Sequence, residues 1–252
     1  MLSDEELLRY SRQIMLPEVD ILGQEALAKS RVAIIGLGGL GSPVSMYLAA
    51  AGVGELVLVD FDQVDLSNLQ RQIVHTSDSI GVDKVLSASK ALKQLNPTTH
   101  IFTIKSKFTQ AQLPDEILQA DVIVDATDNF NTRYVLNRFC VRHKKPLVSG
   151  AAIGLSGQVT VFDSRQPNSP CYHCLYPEGY EEQPMTCSES GVLASVVGMI
   201  GTVQATEVIK LLVGFGTTLV GRLLVLDAKY MDWRSLKLAK NAQCQVCADQ
   251  KS

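Results

Sequence analysis

The sequence has no surplus of basic charge: 23 lysines and arginines stand against 26 aspartates and glutamates, a formal net charge of −3. General nucleic-acid binding calls for a basic surplus, so nucleic acid is not an expected partner. The start of the chain, MLSDEELLRYSRQ, has no cationic stretch followed by an apolar one, so no secretory leader is expected. Long uncharged apolar runs are missing too. The longest, near Val192–Gly214, carries Gln204, Glu207 and Lys210, which argues for a buried helix and against a membrane span. Internal repeats and low-complexity tracts are absent. These absences point to a cytoplasmic protein with neither a membrane nor a nucleic acid as partner. What is present, 252 residues of which 46% are apolar and 19% charged, suits one large globular core.

Ser3-Asp4-Glu5-Glu6 has the form of a capping box, which places a helix start at Asp4. Arg9 and Arg12 are expected one turn apart on that helix. Arg31–Ile35 and Glu55–Val59 read as buried strands, with a helix over Leu40–Ala51 between them. A helix over Asp83–Leu95, strands over Ile101–Ile104 and Asp121–Ala126, a helix over Arg133–His143 and a strand from Pro146 follow. Such alternation implies a parallel sheet with right-handed crossovers. After Gly150 the pattern changes: strands are expected at Gly157–Phe162 and Gly221–Leu226, and a long helix over Val192–Val213. The expected fold is α/β, a Rossmann-like and mainly parallel sheet with an additional C-terminal β region and a structural zinc site. It would be a single domain over 1–252, with a nucleotide-binding half (1–150) and a zinc-containing half (151–252).

Gly36-Leu37-Gly38-Gly39-Leu40-Gly41 lies between a strand and a helix. Glycines there let the backbone approach a phosphate, and the helix N-terminus supplies amide donors. Asp60 ends the next strand, where an acid can bind ribose hydroxyls. A plain tight turn is the bland alternative. The loop after Asp60 contains Arg71, and Lys84 follows it. Phosphoryl and adenylyl transfer need cations against the phosphate oxygens, whereas hydride transfer does not. Taken singly, either residue would more often be a solvated surface charge.

Asp125-Ala126-Thr127-Asp128-Asn129 falls at a strand's C-terminal end, where ligands of open α/β sheets bind. An acid there can hold magnesium, or else Asp128 or Asn129 caps the next helix. Cys171-x-x-Cys174 and Cys244-x-x-Cys247 supply four thiolates, enough for a closed tetrahedral zinc site of structural type. His173 could replace one ligand but is not needed. Cys187 precedes the long helix, where a thiol can become nucleophilic or remain a spectator. Cys140 reads as a core residue.

Taken together, these segments resemble the MoeB/ThiF family, bacterial relatives of ubiquitin-activating enzymes. The likeness covers essentially the whole chain. It rests on Arg9-Tyr10-Ser11-Arg12-Gln13, the Gly36–Gly41 loop, Asp60, and Ser67-Asn68-Leu69-Gln70-Arg71-Gln72. Thr127-Asp128-Asn129, Ser149-Gly150-Ala151, both Cys-x-x-Cys pairs and Thr186-Cys187 complete it. The resemblance implies an ATP-dependent adenylyltransferase that acts on the C-terminal Gly-Gly carboxylate of a small ubiquitin-like sulfur-carrier protein, MoaD-like or ThiS-like. It implies that Gly36, Gly38, Gly39, Gly41, Asp60, Ser67 and Thr127 line the nucleotide site. Asn68, Arg71 and Lys84 would bind the phosphates, and Asp128 the magnesium. Arg12 would reach the ATP of the partner subunit in a homodimer, and Cys187 matches a family cysteine that can link to the carrier. The half 151–252 would also bind the carrier, and sulfur would come from a separate donor. Features of the molybdopterin and thiamine thiazole branches are mixed. Two other readings stay in view, a nicotinamide-dependent oxidoreductase and a catalytically silent zinc-stapled adaptor.

Overall fold

The computed structural model describes residues 2–108, 115–179 and 191–248. Eight strands form one sheet in the order β3-β2-β1-β4-β5-β6-β7-β8. They are β1 (Arg31–Ile35), β2 (Glu55–Val59), β3 (His100–Ile104), β4 (Val122–Asp125), β5 (Leu147–Ile153), β6 (Ser156–Phe162), β7 (Arg222–Asp227) and β8 (Asp232–Lys237). The first five pair in parallel, and β6, β7 and β8 add antiparallel neighbours. The chain turns from the β1-β2-β3 side to the β4-β5 side between β1 and β4. That gap is the topological switch point where open α/β sheets bind ligands.

Two-residue periodicity divides the central strands between two cores. Val32, Ile34, Leu56, Leu58, Val122 and Val124 face the layer that includes α4 (Gly41–Ala50), α5 (Lys84–Leu95) and α9 (Ala194–Val213). Ala33, Ile35, Val57, Val59 and Ile123 face the other layer, with α6 (Asp115–Leu118), α7 (Phe130–Arg142) and α8 (Tyr172–Leu175). Burial on both faces explains why these strands read as continuous apolar runs.

The apolar helix α9 is long and apolar enough to cross a membrane by composition, yet it packs against α4, β5 and β6. Its two buried polar residues, Gln204 and Glu207, make hydrogen bonds in the interior. Gln204 Nε2 donates to the carbonyls of Asp125 (2.8 Å) and Val148 (3.2 Å), tying β4 to β5. Glu207 pairs with Lys210 at 2.6 Å and accepts from the Leu219 amide at 2.7 Å. The helix ends at Gly214, whose φ of +85° gives a left-handed cap.

The capping box forms as expected, but the helix it starts is broken. α1 (Asp4–Arg9) stops at Tyr10, and α2 (Ser11–Ile14) begins beyond it, so Arg9 and Arg12 do not share one helix. At the break the Tyr10 ring is buried beside Gly52, with its hydroxyl accepting from Asn96 Nδ2 at 2.7 Å. α3 (Asp20–Lys29) and the exposed edge strand β8 lie outside the elements expected from the sequence.

Candidate active site

The turn after β1 supplies the site's floor. Gly36 has φ +94°, a conformation that L side chains rarely adopt. A Cβ on Gly41 would lie 1.9 Å from the Gly36 carbonyl oxygen, so the first turn of α4 folds back onto the loop. Gly41→Ala should therefore cost upward of roughly 3 kcal/mol and lower Tm in thermal melts. Gly38 lies beside the Gln72 side chain and Gly39 against Val197 of α9. The space a Gly36 side chain would occupy is bounded by Ala126 and Thr127, so the turn meets the end of β4.

Asp60 leaves the end of β2 and is 8% exposed. Its Oδ2 accepts from the Leu37 amide at 2.7 Å and its Oδ1 from the Asp62 amide at 2.9 Å. Each oxygen keeps lone-pair capacity for a ribose hydroxyl. Burial pushes its carboxyl above the ordinary aspartate value, against the opposing pull of those two amides and Lys84. Lys84 opens α5 and is only 5% exposed. Its Nζ lies 3.3 Å from Asp62 Oδ2, and its amide donates to the Asp62 carbonyl. The solvated-surface reading therefore fails for Lys84.

Ser67 and Asn68 lie in a short 3₁₀ turn, Leu66–Asn68, capped by Asp65, which accepts from the Ser67 amide at 2.8 Å. Asn68 Nδ2 donates to Ser67 Oγ at 3.2 Å. Arg71 is half-buried and returns to its own turn, donating to the Ser67 carbonyl at 3.1 Å.

At the end of β4 the two acids part ways. Asp125 is fully buried and accepts from Thr127 N, Thr127 Oγ1 and Ser149 Oγ, at 2.7–3.0 Å. Arg133 of α7 lies 3.5 Å from it and donates to the Thr127 and Gly150 carbonyls. The Thr127 hydroxyl is thus engaged in shaping the turn. Asn129 caps α7, accepting from the Thr132 amide at 2.9 Å. Asp128 is exposed, and among the described residues its carboxylate makes no hydrogen bond or ion pair. It is not the cap and remains available for a cation. Arg133, Ser149 and Gln204 fix this loop from below; the sequence marks none of them for that role, Ser149 standing only in the family likeness. An arginine inside an amphipathic helix carries no sequence mark of burial.

Arg12 lies elsewhere. It is exposed on α2, which is anchored by Gln13 to the Ala51 carbonyl, just before β2. Roughly 16 Å of strand separates that amino end from the carboxyl end bearing Asp60 and the glycine turn. Cys187 and the rest of 180–190 lie outside the described residues.

The four knuckle cysteines converge. Sγ separations are 3.9 Å for Cys171–Cys174, 3.7 Å for Cys171–Cys244 and 3.4 Å for Cys174–Cys247, and all four atoms lie within 4.8 Å of one another. A tetrahedron with 2.3 Å metal–sulfur bonds has edges of about 3.8 Å, so the cluster can hold a zinc-sized ion. Asn137 Nδ2 (3.6 Å) and the Asn241 amide (3.4 Å) donate to Cys171 and Cys174 sulfurs, as donors around a thiolate site do. His173 Nδ1 sits 3.6 Å from Cys244 Sγ, packed against the cluster and replacing no ligand. Cys140 is a core residue, 3% exposed, with its thiol pushed up by burial.

An open, doubly wound sheet with a glycine turn and a ribose-ready acid at the switch point defines the class, that of nucleotide-binding α/β proteins, here with a four-cysteine staple. The ThiF family model matches residues 10–246, and the chain belongs to that family. It is 48% identical over 246 residues to the molybdopterin-synthase adenylyltransferase of Escherichia coli, covering 98% of each chain. It is 44% identical over 253 residues to adenylyltransferase and sulfurtransferase MOCS3 of Culex quinquefasciatus, spanning 57% of that protein. Among solved structures, E. coli MccB with ATP superposes at a TM-score of 0.80, with 24% identity, over 95% of this chain and 74% of that one. At that identity the likeness shows the fold alone.

Proposed function

We propose that the chain uses ATP to adenylate the C-terminal Gly-Gly carboxylate of a small ubiquitin-like sulfur carrier. What supports this reading most is a glycine turn held by the ribose-ready Asp60, with the buried Lys84 beside Asp62 and the exposed Asp128 on the loop that the turn meets. The chain is an adenylyltransferase, as its whole-length relatives are named; nothing among them favours an oxidoreductase or a silent adaptor. Their names favour a MoaD-like carrier and molybdopterin synthesis over a ThiS-like one and thiamine.

On this reading, Gly36, Gly38, Gly39 and Gly41 admit the phosphates to the α4 N-terminus, and Asp60 binds the ribose. Thr127 shapes the loop that presents Asp128, and Ser67 shapes the turn that presents Asn68 and Arg71 to the phosphates. A carboxylate oxygen of the carrier attacks the α-phosphorus. The new O–P bond forms as the bond to the bridging oxygen of pyrophosphate breaks, giving a carrier acyl-adenylate. The carboxylate is already ionised at neutral pH, so no general base is required. Lys84 and Arg71 offset charge on the phosphate oxygens. Asp128 would hold magnesium, which when bound neutralises charge on the departing pyrophosphate.

On this reading Arg12, exposed on α2 at the far end of β2 from Asp60, serves the site of a partner subunit in a homodimer, as the family resemblance implies. Cys187 would act after adenylation, in sulfur transfer from a separate donor. Residues 1–150 bind nucleotide, and 151–252 hold zinc and the carrier. The enzyme works in the cytoplasm, free of membrane and nucleic acid. ATP–pyrophosphate exchange with Gly-Gly carriers tests the reading, and a folded protein that exchanges with none of them refutes it.

Metal analysis should find about one zinc per chain, with Tm falling on chelation. A zinc-free protein of unchanged Tm would exclude the staple.

A further inference from the structure

The glycine turn has almost no side chains with which to hold its own shape. Leu37, fully buried within it, is pinned on both sides of its backbone. Its amide donates to Asp60 at 2.7 Å, and its carbonyl lies 3.1 Å from His75 Nε2. His75 is 5% exposed, and its Nδ1 lies 2.9 Å from the hydroxyl of Ser87. Ser87 sits one turn after Lys84 on α5, at 8% exposure. A carbonyl only accepts, so the ring proton is on Nε2 and Nδ1 accepts from the Ser87 hydroxyl. Burial holds the imidazole below its ordinary pKa, aided by the charge of Lys84 and opposed by the Leu37 bond, which favours the neutral ring this arrangement uses.

We infer that His75 is a positioning residue for the nucleotide: it braces the glycine turn against α5, so that the turn's backbone and Lys84 meet the phosphates in one fixed geometry. Neither hydrogen bond touches the reacting atoms. The inference rests on the nucleotide-binding reading above and extends it to a residue with no part in the chemistry. A loop held in its ligand-bound shape before binding spares the ordering cost that binding otherwise carries. The brace should therefore act on nucleotide affinity more than on turnover.

Two substitutions separate this from simple packing. His75→Gln keeps an amide N–H near the Nε2 position, while His75→Asn reaches only toward Ser87. His75→Asn should raise the Kd and KM for ATP about 3- to 10-fold with kcat changed less than twofold, the size of one lost hydrogen bond. His75→Gln should return both to within about twofold of the parent. Unchanged ATP affinity in a folded His75→Asn protein overturns the inference, as does an equal loss in both variants. Should His75→Asn fail to fold, Ser87→Ala decides. A raised KM supports the brace, and an unchanged one contradicts it. Nucleotide binding is measured by titration without a carrier. A parent protein that binds ATP yet exchanges with no carrier would therefore refute the adenylation reading alone and leave the brace to be judged on Kd.

Discussion

Asp128→Ala should lower ATP–pyrophosphate exchange by at least about 10²–10³-fold, the scale of losing one electrostatic anchor of a transition state. The fold should be untouched. Asp128 is exposed, and the loop that carries it is fixed by other groups. Asp125 accepts from Thr127 and Ser149 below it, and Asn129 caps α7 beside it. Removal of an exposed side chain that makes no hydrogen bond or ion pair among the described residues changes stability by about 0.5 kcal/mol or less. The contrast with Asp125→Ala is the useful control. That change strands the Arg133 guanidinium in a buried setting and should cost roughly 3–5 kcal/mol. Exchange kinetics and thermal melts on both variants read the two effects separately. Near-normal exchange in folded Asp128→Ala would remove its assigned role.

The second large effect concerns Arg12. As homodimers, Arg12→Ala and Lys84→Ala should each be nearly inactive. A heterodimer of the two has one site with an intact Lys84 and the partner's intact Arg12, and one site lacking both. Equal mixing with free exchange should then restore about one quarter of the parental sites, since half of the random pairs are mixed. The placement of α2 at the amino end of β2 is the reason to expect this. If each chain used its own Arg12, the mixture would recover nothing, and purified heterodimers without activity would show it.

Much of the fold was legible because its core strands are buried on both faces, as the uninterrupted runs Arg31–Ile35 and Glu55–Val59 are. Both of those strands have the predicted limits. The glycine turn and Asp60 were legible because backbone geometry demands those residue types at those places. Where the outcome turned on tertiary packing, sequence was silent. Nothing local distinguishes Tyr10, buried where the first helix breaks, from an ordinary helical tyrosine. Either Asp128 or Asn129 could cap α7 by sequence; the cap is Asn129, whose side chain accepts from the Thr132 amide. Lys84 and Arg71 look alike in sequence, yet one is buried beside Asp62 and the other is half-buried against its own turn. Gln204 illustrates the same limit: a polar residue in an apolar helix, it is explained only by the carbonyls of two strands that meet it.

In the proposed reaction the adenylyl group of ATP, α-phosphate included, passes to a carrier's terminal carboxylate. The most direct measurement follows label from ATP onto a Gly-Gly carrier in the presence of the enzyme and magnesium. With label in the α position, the carrier should gain it as an acyl-adenylate, while label in the γ position should leave entirely in pyrophosphate. Label from the γ position on the carrier, or none from either position with folded enzyme and the full set of Gly-Gly carriers, would contradict the account.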